Sequence, residues 1–242
     1  MTSNPLLSKG FTQETILEGR PMTIQNTANK TIILLGIVAI VAYFSWGICA
    51  SGYSDKAYLL LIGSAIAGFV LALITAFNPK ASPITAPAYA VCEGLLVGAV
   101  SYAYGKAFNG IVFDAIAISI LTLFVMLFLY KARIIQATEK FRKVILISTF
   151  AIAIFYLAGF IGSLLGHPMT IFDGGIVGII VSLVICAIAA LNFVIDFDII
   201  EQGEKNMYPS YFEWYGAFGI LVTLIWLYFE VLRLLAQLNS RD

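Results

Sequence analysis

Five acidic residues stand out as candidates for burial in long apolar runs: Glu93, Asp114, Asp196, Asp198 and Glu230. A charged side chain is costly in hydrocarbon, so such groups usually face a partner, a cavity or a pathway. No Lys, Arg or His occupies the middle of any of these runs, and Arg233, in the last turns of the final one, comes closest. The interior is therefore acidic without a matching base. Two resolutions exist: the carboxyls are protonated, or they share a cation. Either makes the chain pH-sensitive. Oxygen-only ligands favour a hard ion such as Ca²⁺ over zinc, with Asp196 and Glu93 as the candidates for a transient contact.

Each acid also has a purely structural reading. Glu93 lies about 15 Å into its helix at the α-helical rise, near the midplane; there it could be a protonated hydrogen-bonding group. Asp196 lies about one turn from a helix end, where a charge could reach water. Asp198 and Glu201 are nearer the loop, and Asp114 is near a helix start, so these read more readily as interfacial charges. Glu230 can pair with Arg233 at i, i+3 as a structural salt bridge. Asn192 and Asp196, four apart, share one helical face. Gly216, Thr223, Glu230 and Gln237 recur every seven residues and line one face of the last helix. Tight packing would account for the glycine in that stripe but not for the glutamate.

The composition dictates what positions these groups. Of 242 residues, 60% are hydrophobic and 12% charged, and the mean hydropathy is +0.94. A soluble domain carries about twice that charged fraction. A soluble enzyme and a disordered chain are both excluded. Apolar runs of about 20 residues, the length that crosses a bilayer, cover 31–50, 57–77, 83–104, 111–130, 144–165, 174–200 and 211–238. The runs are continuous rather than alternating, which argues against a barrel. The prediction is an all-α membrane protein: one domain of seven transmembrane helices.

Residues 1–30 read as a flexible polar tail with one short surface-seeking turn over 11–17. They do not read as a signal peptide, which would open with an apolar run and end at a small-residue cleavage site. With the N-terminus inside, ten of the 14 Lys and Arg residues fall in inner segments, many of them in the basic stretch 131–143. That bias predicts a cytoplasmic N-terminus and an outside C-terminus. Gly94 with Gly98, Gly162 with Gly166, and Gly174 with Gly178 have the spacing that lets membrane helices approach closely. Cys49, Cys92 and Cys186 lie in apolar runs and read as small buried hydrophobes. A net charge of +0 shows no nucleic-acid footprint.

Four stretches resemble the Bax inhibitor-1 family, in its bacterial YccA-like branch. They are NPKASPITAPAYAVCEGLLVGAVS leading into the third helix, VMLFLYKARII leaving the fourth, ALNFVIDFDIIEQG on the sixth, and EWYGAFGILVTLIWLYFEVLRLLAQL on the seventh. The resemblance implies seven helices, with the last wrapped by the other six. It implies a pH-sensitive calcium leak gated through acids on the sixth and seventh helices. For YccA-like members it also implies contact with a membrane-bound AAA protease, and a bacterial inner membrane as the address. Asp196 and Asp198 match the family's sixth-helix pattern. The family's second aspartate aligns with Thr223, so that acid is replaced here. Glu230 lies two turns further on the same face, but at depths of about 8 Å for Asp196 and about 25 Å for Glu230 a direct carboxyl pair would need a kink.

Two functions compete on this reading. One is a cation leak gated by intramembrane carboxylates, with Ca²⁺ as permeant ion and no resident cofactor. The other is a non-conducting regulator that binds a protease or another membrane partner. An enzyme is not expected. The only histidine is His167, in an outer loop, so neither a zinc protease nor a Ser-His hydrolase has its base. Ile195 precedes Asp196, where an intramembrane aspartyl protease would have tyrosine. The seventh helix has no lysine for a retinal Schiff base.

Overall fold

The structure, a computed structural model, describes residues 20–52, 54–166 and 175–240. The tail with its 11–17 turn, the loop bearing His167, and Gly174 lie outside the described residues. The fold is all-α: α1 Ile24–Ala50, α2 Ser54–Phe77, α3 Ser82–Ala107, α4 Ile111–Lys131, α5 Glu139–Leu164, α6 Ile176–Lys205 and α7 Phe212–Asn239. A 3₁₀ turn, Pro79–Ala81, joins α2 to α3. Among the described residues, six helices are long and apolar enough to cross a membrane, and α2 adds the shorter apolar stretch Leu61–Phe77. Large apolar side chains on α1, α4 and α5 point outward, including Phe44, Phe113, Phe124, Ile147 and Phe150. That pattern suits a surface solvated by lipid.

The helices run past the apolar segments where polar groups satisfy their ends. α1 begins at Ile24, inside what the sequence presents as polar tail. Thr23 caps it, its hydroxyl accepting from the Asn26 N–H at 3.2 Å. Two acids distant in sequence take further N-terminal N–H groups: Glu213 accepts from Thr23 at 3.2 Å and Glu204 from Ile24 at 2.9 Å. α5 begins at Glu139, where Thr138 caps Phe141 at 3.2 Å and the acid complements the helix dipole. α6 continues through polar residues to Lys205, supported by the Glu201–Lys205 ion pair and a 2.8 Å bond from Gln202 to Asp198.

The chain forms two compact units. The first comprises Met1–Ala99 and Asp198–Leu221, the second Val100–Phe197 and Val222–Asp242. In the first, α3 packs closely on α1. A Cβ on Gly94 would stand 2.7 Å from the Val41 Cβ, and one on Gly98 would collide with the Ala42 carbonyl. Ser45 donates to the Leu95 carbonyl at 2.7 Å across the same contact. Gly166 differs from these: its φ is +81° with open space around it, so it ends the turn after α5. The segment before α1 is tied down by Met22 N–H donating to the Tyr208 carbonyl at 2.7 Å.

In the second unit, Ser101 and Tyr228 share a buried 2.6 Å hydrogen bond, and Tyr130 and Phe193 pack against Phe197. Of the six helices long and apolar enough to cross a membrane, α7 is the most buried and α5 the least. The three cysteines are half-buried free thiols.

Candidate functional site

The heptad stripe of α7 faces inward along its length: Gly216, Thr223, Glu230 and Gln237 are all buried. Each position meets a different environment. In the first unit, a Cβ on Gly216 would come within 2.8 Å of Ile200 and 3.1 Å of Thr27, so a larger residue fits there only if the Ile200 side chain shifts.

In the second unit, Thr223 donates its hydroxyl to Asp196 Oδ2 of α6 at 2.7 Å. Asp196 is half-buried, with Phe193, Val194, Ile195 and Phe197 around it in sequence buried. Among the described contacts, Thr223 is its one hydrogen-bond donor, and it has no cationic partner. One turn earlier on the same face, Asn192 donates to Thr149 of α5 at 2.9 Å and to the Ile188 carbonyl at 2.8 Å. Two polar contacts thus tie this face of α6 to α5 and to α7.

Glu230 sits two turns beyond Thr223 in a crowded setting. Its Oε1 accepts from the Tyr156 hydroxyl at 2.6 Å and from the Trp226 indole at 3.1 Å. Its Oε2 accepts from Arg233 at 3.2 Å in an i, i+3 ion pair. Arg233 also donates to the Tyr156 hydroxyl at 2.8 Å, its guanidinium 5.0 Å from that ring's centroid. Both carboxylate oxygens are occupied, so Glu230 and Asp196 make separate networks and not a carboxyl pair.

Glu93 lies in the first unit, on the part of α3 facing Gly68 of α2. Tyr89, one turn before it, shares a hydrogen bond with it. Its Oε2 is buried with no hydrogen-bond partner. Asp114 is exposed in the first turn of α4, and Asp198 is half-buried beside Gln202. Among the described residues no group of three or more His, Cys, Asp or Glu could hold a metal ion. A cation arriving at Asp196 would meet one carboxylate and one hydroxyl, a set suited to transit and not to tight retention.

The acid most completely enclosed belongs to no stripe or pair visible in the sequence. Glu213, in the first turn of α7, is fully buried. It pairs with Lys30 and with Arg20 at 3.5 Å, and accepts from Asn26 Nδ2 at 3.1 Å besides the Thr23 N–H. Lys30 also lies 5.1 Å from the Trp214 ring centroid. The signal that could have found Glu213 is the pairing of a polar pre-helical segment rich in donors with a lone acid at a helix start.

The family model described as Bax inhibitor 1 like matches residues 4–240. No curated protein and no solved structure matches the chain.

Proposed function

This chain belongs to the Bax inhibitor 1 like family, and from that premise we propose that it is a pH-sensitive cation leak of the membrane, with calcium as permeant ion. The observation that carries the reading is the contact of Asp196 with Thr223. An ionised Asp196 accepts a charge-assisted hydrogen bond, about twice as strong as a neutral one. Protonation weakens this tie between α6 and α7 and frees the helices to shift. The same carboxylate offers a hard oxygen ligand to a passing cation. Glu93, with one buried unpartnered oxygen, is the corresponding group of the first unit. Asn192 holds the Asp196 face in place, while Asp198 lines the approach from the loop. The protein performs no covalent chemistry in this reading. Its address is a bacterial inner membrane, with the N-terminus cytoplasmic and the C-terminus outside.

Calcium flux into proteoliposomes, followed over an acid-to-neutral pH series, tests this. The native protein is expected to leak more as pH falls. Asp196→Asn is expected to flatten that response, and Glu93→Gln to reduce it. Absence of flux above empty vesicles, with folded protein confirmed, overturns the leak. It would leave a non-conducting regulator that binds a membrane-bound AAA protease. The polar segment before α1, where the Arg20 side chain is 65% exposed, is that reading's contact point. Co-purification of a partner, lost on deleting residues 1–29, is its test.

A further inference from the structure

The turn joining α4 to α5 carries groups that an ion leak does not use. From Lys131 to Lys143 the chain holds Lys131, Arg133, Lys140, Arg142 and Lys143 against a single acid, Glu139. All of these bases are exposed except Arg142, which is half-buried. They sit at the ends of two long apolar spans, Ile111–Lys131 and Glu139–Leu164. That position is where hydrocarbon gives way to headgroups.

The turn is fixed. Arg133 adopts a φ of +59°, a backbone uncommon for a residue with a side chain. The N–H groups of Ile134 and Ile135 both donate to the Leu129 carbonyl, at 3.0 and 3.3 Å. Arg142 donates its Nε to the Ala137 carbonyl at 3.2 Å, and the Arg133 guanidinium lies 5.9 Å from the Tyr130 ring centroid. The bases are therefore presented by a folded loop and not by a slack tether. Ile134, set between them, is 66% exposed. A soluble anion could use the bases but would leave this apolar side chain in water. An amphiphile satisfies both.

We propose that this turn is a binding surface for anionic phospholipids. The bases engage the headgroup phosphates, and Ile134 enters the upper acyl region beside them. Juxtamembrane bases gain about fivefold in affinity each for an anionic surface.

The test uses the full chain in nanodiscs of phosphatidylcholine and phosphatidylglycerol, with native mass spectrometry counting the lipid retained on gentle release. The native protein is expected to retain phosphatidylglycerol in preference to phosphatidylcholine. Combined Lys131→Gln, Arg133→Gln, Lys140→Gln and Lys143→Gln is expected to lower that preference by about tenfold or more. Arginine at the three lysine positions is expected to keep it. An unchanged preference in the glutamine variant overturns the proposal, as does displacement of the lipid by excess glycerol phosphate, which would mark a site for free phosphate. Charge removal could also reverse insertion or prevent folding. Ile134→Trp on the otherwise native chain covers that case. Its fluorescence is expected to be quenched more by brominated phosphatidylglycerol than by brominated phosphatidylcholine, and equal quenching overturns the proposal.

Discussion

Glu213 and Asp196 are both acids on the α6–α7 part of the chain, yet they are solvated by the protein in opposite ways. Glu213 has two cations, an amide side chain and a backbone N–H around it. Asp196 has a single neutral hydroxyl. Glu230 resembles Glu213, with a guanidinium, a phenol and an indole on its two oxygens. A carboxylate matched by cations is fixed in its charged form, because neutralising it strands the partner charge. A carboxylate held by one hydroxyl keeps a choice between proton, cation and hydrogen bond. The first arrangement builds a joint. The second leaves a group free to switch.

Removing the best-enclosed acid should therefore have the largest structural effect. Glu213→Ala leaves Lys30 uncompensated, its side chain only 17% exposed. The expected loss is about 3 kcal/mol of stability, toward the low end for breaking a buried pair, read as a lower unfolding temperature in nanodiscs. Changing both partners, Glu213→Leu with Lys30→Met, should cost less than Glu213→Ala alone. If the single change proves silent, the joint does not hold the start of α1 to α7. Glu230→Gln comes next. It keeps an oxygen for Tyr156 and Trp226 but loses the ion pair, for about 2 kcal/mol. Neither variant should move the pH midpoint of the leak. A midpoint shift in Glu230→Gln would break the comparison by placing Glu230 among the switching groups.

The sequence is most informative where the membrane imposes one solution. Seven apolar runs had to be helices, because a lipid-exposed backbone must satisfy its own hydrogen bonds. The pairing of Asp196 with α7 was also within reach, since the seven-residue stripe puts Thr223 on the polar face and the i, i+4 spacing puts Asn192 beside Asp196. What stayed hidden depends on contacts between distant residues. The start of α1 is fixed by Glu204 and Glu213, about 180 or more positions away in the chain, and no local pattern encodes that. Arg20, Asn26 and Lys30 looked like tail because their partner lies at the other end of the sequence. Tyr156 lies in an apolar run, and its partners Glu230 and Arg233 are 74 and 77 positions away in the chain. The Gly94–Gly98 spacing gave the right close approach, but the same spacing at Gly162 and Gly166 marks a helix end, because spacing alone does not report the left-handed turn at Gly166.

The smallest expected change in stability bears most directly on the switch. Thr223→Val keeps the shape of the side chain and removes the one donor to Asp196. The loss should be about 1 kcal/mol, that of a single hydrogen bond. Its effect on the leak should be clearer than its effect on unfolding. The hydroxyl favours the ionised carboxylate by donating to it. Without it the tie between α6 and α7 is missing whatever the charge on Asp196. Calcium flux should therefore be raised already at neutral pH and vary less with pH than in the native protein, while Thr223→Ser, which retains the hydroxyl, should keep the native profile. A flux profile in Thr223→Val that overlays the native one, in protein whose Asp196→Asn variant has lost its pH response, would mean that Asp196 switches through some contact other than its bond to α7.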